Sequence, residues 1–207
     1  MLILCLVALC VSPEQSAVAR LQARYVKGDL TGQFRQIYVD KLRGKTQTES
    51  GTLWVAKDGR VRWSYLQPEL KDFVYDGKTA YFYEPANGQV TVFENFDDSQ
   101  LSTAVQFLWG KGDVAARFEI KPCAALCAPG RDTVVELTPK KPIPQVALVA
   151  LVIDKTGLLR RTITLDPLGN RTEYQFEQLQ FGAVIDAAKF TFVVPAGVAV
   201  MKTVPRP

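Results

Sequence analysis

The chain has 207 residues, enough for one well-packed domain, and its 47% hydrophobic and 22% charged content places it among folded globular proteins and outside the disordered class. A net charge of +4, spread along the chain with only Lys140-Lys141 and Arg160-Arg161 as doublets, offers no concentrated basic face for nucleic acid. The complete lack of histidine removes Ser-His and Cys-His nucleophilic mechanisms, together with the commonest proton shuttle and metal ligand.

Leu2 to Val11 is an unbroken apolar run, too short to span a bilayer and of the right length for the core of an export signal. The expected division is a signal peptide over 1–16, with its cleavage point between 12 and 19, followed by a single domain over 17–207. Ala17-Val18-Ala19 fits a small-x-small site. Cys10 follows the bulky Leu9, which disfavours lipid attachment at that thiol. Val18 to Lys27 then places Leu21 and Tyr25 on one face of an amphipathic helix that Gly28 ends.

From Leu30 the pattern changes to period two. Leu53 and Val55 share a face in Gly51 to Lys57, Asp58-Gly59 makes a turn, and Val61, Trp63 and Tyr65 alternate with Arg60, Arg62 and Ser64, which reads as a hairpin. Phe73 to Tyr75, a turn at Asp76-Gly77, Tyr81 and Tyr83 alternating with Ala80 and Phe82, and Asn87-Gly88 leading into Gln89 to Phe93 continue the pattern. Leu101, Ala104, Val105 and Leu108 fall at helical spacing before Gly110 and Gly112. Strands are expected again at Arg117–Lys121, Thr133–Thr138, Ala147–Asp154, Leu159–Leu165, Thr172–Gln180 and Phe190–Val194. Some ten or eleven short strands with two helical pieces imply one curved antiparallel sheet or an incomplete barrel.

Cys123 and Cys127 lie in a Pro- and Ala-rich connection without further thiols or imidazoles for zinc. In an exported chain they read as a short local disulfide that staples a loop. Asp97-Asp98, Glu173 and Glu177 look like solvated positions, so no catalytic carboxylate pair stands out. Gly110-Lys-Gly112 follows a helix where a dinucleotide fingerprint must follow a strand. The aromatic run Trp54, Trp63, Tyr65, Tyr75, Tyr81, Tyr83 and Phe93 either packs a core or lines a concavity. A half-barrel of this size has more concave surface than one or two helices fill.

These motifs match a family. Gly51-Thr-Leu-Trp-Val55, Arg62-Trp-Ser-Tyr-Leu-Gln-Pro68, Asp76-Gly-Lys-Thr79 with Tyr81-Phe-Tyr83, and the C-terminal Val184 to Phe192 with Pro195, Gly197 and Val198 resemble, in order and spacing, the LolA family of periplasmic lipoprotein carriers. The resemblance runs from about Val18 to Val200. It implies a mainly β, unclosed half-barrel of one curved antiparallel sheet with a helical lid, a monomer without cofactor, metal or enzymatic activity. It implies a periplasmic carrier of acylated lipoproteins, loaded by an inner-membrane ATP-driven release complex and unloaded to an outer-membrane acceptor. Leu53, Val55, Val61, Trp63 and Tyr65, with Tyr81 and Tyr83, would line the acyl-chain cavity. Leu21 and Tyr25, with Leu101, Val105 and Leu108, would form the lid. The family's lid-closing arginine is replaced by Lys57-Asp58, leaving Lys57 or the nearby Arg60 as the gate; lysine lacks the planar multi-donor fork of arginine. A lipid- or lipoprotein-sensing regulatory module on the same fold is the rival reading, and a hydrolase the third.

Overall fold

The structure is a computed structural model, and it describes residues 11–25, 28–96, 113–127 and 130–203. Helix α1 (Pro13–Tyr25) opens the fold. Ser12 and Gln15 cap it reciprocally: the Gln15 N–H donates to Ser12 Oγ at 3.2 Å and the Ser12 N–H to Gln15 Oε1 at 3.1 Å. Pro13, whose missing N–H is no loss in the first turn, starts the helix five residues earlier than the apolar periodicity suggests. Lys27 lies outside the described residues.

Six strands then form a meander: β1 (Leu30–Asp40), β2 (Lys45–Val55), β3 (Val61–Gln67), β4 (Lys71–Tyr75), β5 (Ala80–Glu84) and β6 (Gln89–Phe93). The glycines of Asp58-Gly59, Asp76-Gly77 and Asn87-Gly88 adopt φ of 102°, 101° and 59°, the left-handed backbone that tight turns demand. One short helical turn, α2 (Val114–Arg117), precedes a second meander of β7 (Phe118–Pro122), β8 (Thr133–Pro139), β9 (Leu148–Ile153), β10 (Leu159–Leu165) and β11 (Arg171–Phe181). Pairing of β1 with β11 joins the two meanders, and the last strand, β12 (Ala199–Thr203), attaches beside β6. The result is a single twelve-stranded curved sheet, ordered β12-β6-β5-β4-β3-β2-β1-β11-β10-β9-β8-β7, with β12 and β7 as its edges.

Two expectations are corrected here. The sheet is antiparallel except at β12, which pairs with β6 in parallel because the chain crosses the outside of the sheet before it returns. Phe190–Val194 alternates like a strand but is not one. Its start closes a 3-10 turn (Ala187–Phe190) capped by Asp186, and its side chains anchor a segment running over the sheet's outer face. The ladder position goes to Ala199–Thr203 instead.

Candidate functional site

Cross-strand register assigns every side chain of the sheet to one of two faces. One row runs Leu30, Val55, Val61, Tyr75, Ala80 and Phe93 from β1 to β6, and its neighbour runs Gly32, Leu53, Trp63, Phe73, Phe82 and Thr91. The residues of these rows, Gly32, Phe82 and Thr91 apart, merge with Phe34, Phe176, Val135, Leu137, Val149, Leu151 and Leu159 into one apolar cluster beneath Ala17, Val18, Leu21 and Tyr25 of α1. This is the concave face. Leu53, Val55, Val61 and Trp63 are all buried in it, with Val61 fully inaccessible. Gly51 keeps β2 and β3 in close register past a bulge: a methyl group there would stand 1.9 Å from the Ser64 carbonyl oxygen.

Aromatic rings concentrate at the centre of that face. Phe34 lies 4.7 Å from Trp63 and 5.0 Å from Tyr65, and Trp63 meets the edge of Tyr174 at 5.5 Å and Phe176 at 6.3 Å. Phe34, Tyr174 and Phe176 are members the sequence reading left out, although Tyr174 and Phe176 sit two apart in the strand expected at Thr172–Gln180. The Tyr65 hydroxyl donates to Gln36 Oε1 at 2.8 Å, and burial, with Tyr174 beside it, holds its proton well above the usual phenol range. Lys71 pairs with Glu49 and sits 5.2 Å from the Tyr65 ring, so an ion pair rims the aromatic centre.

Helix α1 rests mainly on β7–β9, the far arm of the concavity. Its C-terminal end is tied to the β9–β10 turn at three places. The Tyr25 hydroxyl accepts the Leu159 N–H at 3.2 Å, an Arg24 guanidinium N–H donates to the Thr156 carbonyl at 3.3 Å, and Gly157 approaches the Arg20 backbone. Arg24 also lies over the Phe181 ring at 4.9 Å. Leu21 and Tyr25 therefore face the concavity. Leu101, Val105 and Leu108 lie outside the described residues, as do Asp97 and Asp98.

Register corrects the assignment of Tyr81 and Tyr83. They pair with Val74 and Asp72, in the rows of Trp54, Arg62, Val92 and of Ser64, Val90, which form the convex face. Both pack against Phe192 of the C-terminal segment, at 5.2 and 5.5 Å. Their intervening neighbour Phe82 turns inward. Among the described residues, Arg60 also turns to that outer segment: it pairs with Asp58 at 2.9 Å and covers Phe190 at 4.9 Å. Lys57 is exposed, and its contact among the described residues is its backbone N–H to Asp29 Oδ1 at 2.8 Å. Among the described residues, Arg24 and Tyr25 reach between helix and sheet, both carried by the helix itself.

The convex face carries the polar structure. Arg62 pairs with Asp72 at 2.7 Å and donates to the Lys189 carbonyl, while Lys189 stands 4.7 Å from the Trp54 ring. Glu173, expected in solvent, is buried and held by Arg161 at 3.1 Å and by Arg171 and Gln175. Cys123 and Cys127 are joined as a disulfide with Cα atoms 5.5 Å apart. Glu136 beside them accepts the Ala125 and Leu126 N–H groups at 2.7 Å, so that carboxylate and both sulfurs are committed to holding the loop.

The model of the family described as outer membrane lipoprotein carrier protein LolA matches residues 27–193. The outer-membrane lipoprotein carrier protein of Nitrosomonas europaea is 30% identical over 203 residues, covering 97% of this chain and 96% of the relative. That of Cupriavidus necator is 32% identical over 198 residues, covering 92% and 90%. The crystal structure of an uncharacterized conserved protein from Thermus thermophilus shares the fold with a TM-score of 0.58 at 12% identity, covering 93% of this chain and all of the other.

Proposed function

The chain belongs to the LolA family of outer-membrane lipoprotein carriers, and from that premise we propose that it ferries lipoproteins across the periplasm with their acyl chains on the concave face. The observation that carries the proposal is the continuous apolar and aromatic lining of that face beneath a helix anchored on one arm of the sheet. Cargo would arrive from an inner-membrane ATP-driven release complex and leave to an outer-membrane acceptor. Leu53, Val55, Val61, Trp63 and Tyr65 are the proposed lining, and α1 the cover that moves. The apolar run 2–11 is the proposed export leader. Cleavage towards Ser12 is favoured, since Ala17 and Val18 are buried parts of the core.

Energetics favour a cover that opens at a cost. Each buried methylene contributes about 0.8 kcal/mol, so one fully enclosed chain of roughly sixteen carbons contributes about 12 kcal/mol. Two or three would exceed the ceiling of about 18–21 kcal/mol and would never be released. Displacing α1 from its own apolar contacts lowers net affinity into a range that permits handover.

The test is transfer of a fluorescent diacyl lipopeptide from donor to acceptor vesicles by the delipidated protein, with Val61→Glu as the concave variant and Tyr81→Ala as its convex counterpart. The parent and Tyr81→Ala should transfer the lipopeptide; Val61→Glu should melt cooperatively and fail to take it up. A parent that captures no lipopeptide, or a folded Val61→Glu that transfers like the parent, refutes the proposal.

A further inference from the structure

Buried polar groups in folded proteins are almost always hydrogen-bonded, so those that are not deserve a reason. Among the described residues, the concave face contains two. Trp63 Nε1 and Thr162 Oγ1 are buried without a hydrogen-bond partner, in residues that are only 3% and 1% exposed. A further such atom, Arg24 Nε, belongs to a guanidinium already engaged with Thr156 and Phe181 where the helix meets the β9–β10 turn.

Both orphans border the same residue, Tyr174. Thr162 is its direct cross-strand partner on β10, and the Trp63 ring reaches it from β3 across the curve of the sheet, 5.5 Å between centroids. The Tyr65 hydroxyl, also at the centre, is satisfied by Gln36 and by Tyr174. An indole N–H can only donate, and a threonine hydroxyl can also donate. Their missing partner is therefore an acceptor that arrives from outside with an apolar body. A carboxylate would bring a charge into an apolar surround where Lys71, the cation at the rim, is already paired with Glu49. A neutral carbonyl can accept from either donor without that cost.

We propose that Trp63 Nε1–H and the Thr162 hydroxyl form a carbonyl-recognition site for the ester or amide groups that join acyl chains to the cargo. This rests on the carrier reading and adds to it. The lining would bind any hydrocarbon of suitable length, whereas two unmet donors favour a chain that begins with an acyl carbonyl. They also set how deeply the chain enters, because the carbonyl must stop beside Tyr174 with the methylenes beyond it.

The experiment compares three synthetic lipopeptides of equal chain length: an S-(diacylglyceryl)cysteine peptide with ester carbonyls, an N-acyl peptide with one amide carbonyl, and the S-(dialkylglyceryl)cysteine ether analogue with none. Affinities are measured on the parent, Thr162→Val and Trp63→Phe. The parent should prefer a carbonyl-bearing peptide over the ether by at least about tenfold, and each substitution should remove most of that preference. Thr162→Val, which leaves the apolar lining intact, should keep ether binding within about twofold, whereas Trp63→Phe is read only as the ratio of carbonyl to ether affinity because its ring also lines the face. Loss on the ester peptide alone assigns the site to the glyceryl esters, and loss on the amide peptide alone assigns it to the N-acyl group. Thr162→Val keeps the shape of the side chain and should melt no lower than the parent, since it removes an unpaired buried hydroxyl. The indole N–H proton resonance lost in Trp63→Phe should move downfield in the parent on addition of a carbonyl peptide and stay in place with the ether. Equal affinity of the parent for all three peptides, with an unmoved indole resonance, overturns the inference and leaves the carrier reading intact. Failure of the parent to bind any of them overturns both.

Discussion

Gly157 offers a direct test of how α1 is held over the concavity. It sits in the β9–β10 turn at φ +83°, and a methyl group added there would stand 3.0 Å from the carbonyl carbon and oxygen of Arg20 in the helix. Gly157→Ala therefore meets two penalties. The left-handed backbone costs about 1–2 kcal/mol for any residue with a Cβ. The methyl also requires helix or turn to shift by a few tenths of an ångström, which strains the Tyr25–Leu159 and Arg24–Thr156 hydrogen bonds; at about 1 kcal/mol each, these contribute up to about 2 kcal/mol. Gly197 supplies the control: its φ is +80° and nothing lies within 4 Å of an added methyl. Gly197→Ala should lose only the backbone contribution, and Gly157→Ala should lose about 1–2 kcal/mol more in urea unfolding. Amide hydrogen exchange in α1 should accelerate in Gly157→Ala alone, and its lipopeptide uptake should be faster than the parent's. Equal destabilisation by the two substitutions, with unchanged exchange in α1, would refute the claim that this turn holds the helix.

Asp154 anchors the same turn. Burial raises its pKa, but hydrogen bonds from Thr156, Leu158 and Arg160 outweigh that and bring it down to about 2. A depressed carboxylate pKa contributes stability that is complete above the unfolded value near 3.9 and is lost as pH falls through about 2. After solvent screening, this amounts to about 1 kcal/mol. Asp154→Asn should flatten the acid limb of the stability profile between those values, and an unchanged limb would place the acid sensitivity elsewhere. On the convex face, Phe192→Ala should cost about 1–2 kcal/mol by freeing the C-terminal segment from Tyr81 and Tyr83. Lipopeptide transfer should continue unchanged, and a parallel loss of transfer would show that the two faces are coupled.

Much of the sheet was legible because its strands obey local rules. The β2–β6 meander follows from apolar alternation interrupted by Asp-Gly, Asp-Gly and Asn-Gly, each a turn that needs a left-handed residue and has one. Where one face is not buried, the signal fails. Lys45–Glu49 in β2 carries Lys, Thr, Gln, Thr and Glu, has no apolar face, and joins the ladder only because β1 lies beside it. The start of α1 carries a local signal too. Ser12-Pro13-Glu14-Gln15 is a capping box with proline in the first turn, hidden because it abuts the apolar run of the leader.

The candidate site shows a different limit. Alternation divides Tyr81, Phe82 and Tyr83 between two faces but does not say which face is concave. The face is settled by pairing across strands: Phe82 opposite Phe73, and Phe73 opposite Trp63, carry the inward row from β3 to β5. The tyrosines have a second apolar surface to cover because the chain returns over the outside of the sheet, bringing Phe190 and Phe192 with it. A sheet of this kind is buried on both faces over β3–β6, so burial alone cannot mark a ligand-facing residue. What separates the faces is how their polar groups are treated. Outside, Arg62, Asp72 and Ser64 satisfy one another; inside, Trp63 and Thr162 do not. Those unmet donors are invisible in a sequence, since nothing about a tryptophan on β3 or a threonine on β10 says that its partner must come from another molecule.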